Sequence, residues 1–122
     1  MSPRVPMDKP QPTSPDILRG TLDLLILTAL SSGEKHGYAV ARWIESATGD
    51  ALAVGEGTLY PALHRLEERG WISAGWGPSA NNRNAKFYAL TRRGRARLRV
   101  EHANWRRYAA AVFSALDAAG SQ

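Results

Sequence analysis

The stretch GEGTLYPALHRLEERGWI, Gly55 to Ile72, reads as a short helix with a proline near its start, a glycine stop and the beginning of a strand. At about 100° per residue, Leu59, Ala62, Leu63 and Leu66 gather on one side of that helix. Tyr60, Pro61, His64 and Glu68 point the opposite way, with Arg65 beside them. Thr58 is the expected N-cap, which makes Pro61 the last position whose backbone lacks an intrahelical partner in any case. The helix is expected over about 58–69, closed by Gly70.

Upstream, Leu18, Leu22, Leu25, Ile26 and Ala29 form a helical stripe, while Leu24, Leu27 and Leu30 add apolar surface on other sides. Such a helix needs cover from two directions. Order is expected to begin near Ile17, and Ser31-Ser32-Gly33 ends this helix. Val40, Trp43, Ile44 and Ala47 then mark the buried face of a second helix, stopped by Gly49.

Downstream the period changes. Trp71–Trp76 and Lys86–Leu90 are short, aromatic-rich runs around a polar turn that contains Arg83. They predict a β-hairpin over about 71–90. Thr91 is the expected cap of a long final helix reaching roughly Ala118. Three helices, a hairpin and a long helix give a mainly α fold with a β-hairpin wing. This is a winged helix-turn-helix followed by a C-terminal helix.

In a helix-turn-helix the start of the second helix enters the major groove of DNA. Tyr60 and His64 are suited to donate hydrogen bonds there, Pro61 and the Thr58 methyl to meet thymine methyls, and Arg65 to reach phosphate. Arg83 and Lys86 sit where a wing flanks the DNA backbone. Read without the hairpin, Tyr60 and His64 are equally ordinary exposed residues of an amphipathic helix.

Composition agrees with a polyanionic partner. The 122 residues carry a formal charge of +5 with a pI near 10.1, which suits nucleic acid or an acidic membrane surface. The absence of cysteine excludes disulfides, thiolate metal sites and cysteine nucleophiles. Leu22–Leu30 is too short to span a bilayer, and the opening residues lack the apolar segment of a signal peptide. A cytoplasmic location is expected, with no membrane partner. Residues 1–15 contain five prolines and predict a disordered arm, either inert or touching phosphate through Arg4 and Lys9. The domain is expected at 16–90, the C-terminal helix at 91–119 and a tail at 120–122.

HGYAV (His36–Val40), GTLYPALHRLEERGWI (Gly57–Ile72) and FYALTRRGRARL (Phe87–Leu98), with GTLDLLILTAL (Gly20–Leu30) ahead of them, resemble the PadR-type transcriptional regulators. The resemblance covers roughly Leu18 to Leu98. It implies a bacterial, homodimeric, usually repressive DNA-binding protein whose Tyr-Pro pair, here Tyr60 and Pro61, faces DNA. The single long terminal helix is similar to the short subtype. The wing tip, with one arginine, is less basic than that of many relatives. In some relatives, aromatic residues at the dimer interface hold flat hydrophobic ligands, and Trp105 and Tyr108 are the candidates for such an effector pocket here.

The final helix carries its own signal. Leu98, His102, Trp105, Ala109, Val112 and Leu116 follow an alternating spacing of four and three, the rhythm of helix-on-helix packing, and Tyr108 and Phe113 widen the seam. This predicts a dimer seam, joined by Leu22 of the first helix. Packing onto its own domain is the competing expectation. Five arginines between Arg92 and Arg99 crowd the start of this helix, where the macrodipole disfavours cations. Phosphate contact and solvated charge both account for them.

Catalytic signatures are missing. GEGTLY lacks the third glycine of a dinucleotide loop, and no Walker, nucleophile-elbow or H-E-x-x-H sequence occurs. His36, His64 and His102 are expected on three separate helices, which disfavours a metal site. Neither enzyme activity nor a cofactor is expected. The predicted function is a sequence-specific DNA-binding regulator, a repressor on a pseudo-palindromic operator. The alternative is a winged-helix ligand-sensing or protein-interaction module with only nonspecific DNA affinity.

Overall fold

The computed structural model describes residues 15–78 and 84–120. The expected N-terminal arm up to residue 14, the turn tip with Arg83, the Leu18 side chain and residues 121–122 lie outside the described residues. The elements are α1 (Pro15–Leu30), β1 (Lys35–His36), α2 (Gly37–Ala47), α3 (Glu56–Glu68), β2 (Ile72–Pro78), β3 (Asn84–Leu90) and α4 (Arg92–Gly120). This is the expected mainly helical chain with a wing and a long terminal helix.

The core lies where α1, α2 and α3 meet one face of the sheet. Ile26, Leu27 and Leu30 of α1, Val40 and Ile44 of α2, and Leu59, Leu63 and Leu66 of α3 are fully buried there with Ile72. α1 is apolar around much of its girth, and it is indeed covered from several directions. Leu22, expected at a dimer seam, is only 3% exposed and belongs to this core. Its stripe partners Ile26 and Ala29 face inward, and Leu22 lies on the same face. On α2, Val40 and Ile44 are buried as expected and Trp43 packs at the core edge, but Ala41 is buried instead of Ala47. Ala47 is the exposed last residue of the helix.

The sheet has three strands in the order β1-β3-β2, all antiparallel. β2 and β3 pair from Ile72↔Leu90 to Pro78↔Asn84. The sequence gives no sign of β1, whose two residues pair as Lys35↔Tyr88 and His36↔Phe87. Two residues are too few to show a period. His36 is therefore a strand residue that caps α2, accepting from the Ala39 N–H at Nδ1 (3.3 Å).

α3 ends in a Schellman motif. The Trp71 N–H donates to the Leu66 carbonyl (3.1 Å) and the Gly70 N–H to the Glu67 carbonyl (2.9 Å), while Gly70 takes a φ of 76°. Thr91 then joins this turn to α4. Its hydroxyl donates to the Gly70 carbonyl (2.7 Å) and accepts from the Gly94 N–H (3.0 Å), which is the predicted N-cap. The Thr91 N–H donates to the Trp71 carbonyl (3.1 Å). Gly94 is buried so closely against this turn that a Cβ would stand 1.9 Å from the Trp71 carbonyl oxygen.

Gly94→Ala separates two opposing effects. Helix propensity alone favours alanine by about 1 kcal/mol. A Cβ driven into backbone costs about 3 kcal/mol or more, because the obstacle has no rotamer to yield. A net loss of about 2 kcal/mol in urea unfolding is expected; stabilisation would contradict the docking of α4 described above.

Candidate nucleic-acid interface

Thr58, Tyr60, Pro61, His64 and Glu68 occupy the exposed side of α3, while Leu59, Ala62, Leu63 and Leu66 are buried. The helix begins earlier than expected. Gly55 is the N-cap, without a side-chain bond, and its carbonyl accepts from the N–H groups of Thr58 (3.1 Å) and Leu59 (2.9 Å). Thr58 is therefore inside the first turn and not the cap. Pro61 falls within the helix, where it removes the bond that the Gly57 carbonyl would otherwise accept. Glycine and threonine are about equally favoured at an N-cap, and only threonine marks the position with a side-chain acceptor. The pair Glu56-Gly57 supplies the missing turn, with Glu56 at the positive end of the macrodipole.

Tyr60 does not simply project into solvent. It is 42% exposed, and its ring rests on the backbone of Gly37 at the start of α2. A Cβ on Gly37 would lie 2.7 Å from Tyr60 Cε1 and 2.9 Å from the hydroxyl. Partial burial, then the Glu56 carboxylate and Tyr88, hold the Tyr60 hydroxyl above the ordinary phenol range. It remains a protonated donor. His64 stands well exposed one turn further on, with Nε2 3.2 Å from Glu68 Oε2.

Arg65 differs from the expectation of a phosphate contact beside Tyr60. Its Nη2 reaches Asp23 Oδ1 of α1 at 2.5 Å, and both side chains are largely covered. It braces α3 against α1. Lys86 is half-exposed on β3, with Nζ 3.8 Å from Glu67 Oε1 and 5.6 Å from the Tyr88 ring centre. Tyr38 and Arg42, one turn apart on α2, were not among the expected contacts. Both are exposed; Arg42 Nη1 donates to the Tyr38 hydroxyl (3.0 Å). With Tyr60, Glu45 and Glu56 they line a depression of about 300 Å³ between α2 and α3. Their signal was their position in HGYAVAR, opposite Val40 and Ile44.

α4 divides in two. Leu98, expected at the seam, packs on the core of its own domain. Arg97 pairs with Glu101 and lies 4.8 Å from the ring centre of Trp71, which Arg69 approaches at 5.2 Å. Arg92, Arg93, Arg95 and Arg99 are exposed, with the Arg93 head beside Gly70. Beyond them, His102 accepts from Arg106 Nε (2.9 Å) and is exposed. Trp105, Tyr108, Val112, Phe113 and Leu116 are all exposed, and Ala109 is partly so. The Trp105 and Tyr108 rings meet at 5.4 Å and line an open depression of about 300 Å³ with Thr21, Leu24 and Asn104. Among the described residues, no cluster of metal-ligating side chains occurs, and no helix is long and apolar enough to cross a membrane.

Contact between Tyr60 and Gly37 predicts that Gly37→Ala and Tyr60→Ala are not additive. Their unfolding free energies should couple by about 0.5–3 kcal/mol, since removing the ring removes the clash. Additive effects would show that the ring does not rest on Gly37.

The architecture has close counterparts. A transcriptional regulator from Clostridium thermocellum superposes with a TM-score of 0.72 at 28% identity, covering 80% of this chain and 94% of that one. A PadR family transcriptional regulator from Eggerthella lenta gives a TM-score of 0.68 at 30% identity, over 83% of this chain and 86% of that one. An uncharacterized protein X from Lysinibacillus sphaericus is 34% identical over 83 residues, 68% of this chain and 76% of its own length. Residues 26–100 match the model of the transcriptional regulator PadR-like family, a group of regulators and not of enzymes. The exposed Tyr60-Pro61 face, the wing and the long α4 thus stand in a chain that belongs to the PadR-like family of transcriptional regulators.

Proposed function

We propose that the chain is a cytoplasmic homodimer that represses transcription by occupying a pseudo-palindromic DNA operator. The observation that carries this reading is the exposed face of α3. Thr58, Tyr60, Pro61 and His64 stand together at the start of the second helix of a helix-turn-helix, on the side away from the core, with the Tyr60 ring seated on Gly37. A helix in that position reads base edges with its N-terminal side chains. The protonated Tyr60 hydroxyl and the His64 ring supply donors, and Pro61 with the Thr58 methyl supplies apolar contact.

Phosphate contacts come from other elements. Arg65 is engaged with Asp23, so the charge near α3 falls to Lys86 on the wing, to Arg42 on α2 and to the exposed arginines at the start of α4. Arg83 of the wing tip adds to this set. Each such contact releases counterions, and binding weakens steeply with salt.

Dimerisation follows from the second half of α4. A helix of 29 residues is about 43 Å long, well beyond a three-helix core, and its far half exposes Val112, Phe113 and Leu116. A partner helix covers this surface at His102, Trp105, Ala109, Val112 and Leu116. The twofold relation places two α3 helices in successive major grooves, roughly 34–36 Å apart. The Trp105–Tyr108 pair offers a flat apolar platform at that interface for a small hydrophobic effector.

Two variants separate reading from assembly. Tyr60→Ala should weaken operator binding about tenfold in fluorescence anisotropy, while sedimentation still shows a dimer. Leu116→Glu should dissociate the dimer and reduce operator affinity with it. Unchanged affinity in Tyr60→Ala counts against the α3 face. Binding that is weak and indifferent to sequence in the wild type favours a ligand-sensing or protein-interaction module.

A further inference from the structure

Trp76 is 70% exposed, the most open of the large apolar side chains described, and neither the core nor the α4 seam uses it. Strand alternation puts it on the same face of β2 as Ile72 and Ala74, and pairing sets it directly opposite Lys86. Near the base of the hairpin this face is closed by the core, where Ile72 and Tyr88 are buried. At Trp76 the core has ended. On its own face its neighbours are the small Ala74 along β2 and Lys86 across the pair, so the indole stands open.

The same face runs on toward α3. Lys86 Nζ lies 3.8 Å from Glu67 Oε1 of α3 and 5.6 Å from the Tyr88 ring centre. Trp76, Lys86 and Glu67 therefore lead from the wing to the side of α3 that carries Tyr60, two helical turns from Glu67, with the buried Tyr88 ring beneath Lys86. An open indole beside an ammonium group suits a partner that places flat apolar surface next to phosphate. Duplex DNA does so at a groove wall, where deoxyribose rings and base-step edges lie between phosphates, and apolar wedges on proteins enter there.

We infer that Trp76 is a DNA contact of the wing: its indole packs into the groove wall beside the major groove that α3 occupies, with Lys86 on an adjacent phosphate. This rests on the operator-binding reading above. It accounts for a wing whose sequence is poor in basic residues, because the affinity it adds is apolar and independent of salt.

The test uses the full-length protein, an operator duplex and a scrambled duplex of equal length, titrated by anisotropy across a salt series. Trp76→Ala should lose about tenfold in operator affinity, comparable to the loss of one stacked aromatic, with the slope of log affinity against log salt unchanged. Lys86→Ala should instead lower that slope by about one. Trp76→Phe keeps most of the affinity but removes the part of the DNA-induced tryptophan quenching that Trp76 reports, the other three tryptophans being the background. Equal affinity in Trp76→Ala, or equal quenching in Trp76→Phe, overturns the inference while leaving the α3 reading intact. A changed sedimentation mass in Trp76→Ala with unchanged DNA binding overturns it too, in favour of a contact between copies. A wild type that does not distinguish operator from scrambled duplex defeats the operator-binding reading itself, and Trp76 with it.

Discussion

The turn that closes α3 governs the geometry of everything around it. Gly70 adopts a left-handed conformation, Trp71 bonds back to Leu66, and Thr91 ties both to the first turn of α4 through one hydroxyl that donates to Gly70 and accepts from Gly94. Three elements with different tasks meet within these few residues: the exposed helix, the first wing strand and the long terminal helix. Trp71 extends the junction outward between the Arg69 and Arg97 guanidinium groups. A residue at Gly94 has no space for even a methyl group. Because the contacts run backbone to backbone or through the short, β-branched Thr91 side chain, the angle between α3 and α4 is held without relying on long flexible side chains. That angle sets how far apart two copies of α3 lie in a dimer built on α4.

From this junction the division of labour along α3 follows. Leu59, Leu63 and Leu66 anchor one side in the core, and Arg65 adds a polar brace to Asp23 of α1. The opposite side is then free of structural work except at Tyr60, whose ring is seated on Gly37. A seated aromatic has fewer orientations to lose on binding, so its hydroxyl is presented at lower entropic cost. α4 shows a parallel division. Its first turns carry Leu98 against the core and Arg97 against Trp71, and its later turns carry apolar residues that are exposed among the described residues.

Much of this was legible in the residues because it depends on periodicity. The 3.6-residue repeat separated the two sides of α3, and Thr91 and Gly70 announced their caps. What was missed depends on tertiary partners or on very short elements. Arg65 shares a side with His64 on a helical plot, and only the fold reveals Asp23, 42 residues earlier, as its partner. Leu22 and Leu98 carry the same side chain as a seam residue would; their burial in the domain is set by where α1 and α4 cross. β1 is two residues long and exists only because β3 offers an edge. The start of α3 lies earlier than the residues suggest because a glycine cap leaves no side-chain signature, whereas Thr58 carries the hydroxyl of a capping residue.

Selection of DNA from a random duplex pool by the purified full-length chain, at near-physiological salt, tests the account most directly. The proposed arrangement of two α3 helices predicts a single inverted repeat with half-site centres about 10 base pairs apart. Enrichment without a repeat, collapsing as salt is raised, would contradict it: the basic surface would then hold DNA by charge alone, and the exposed Tyr60-Pro61-His64 face would serve another partner.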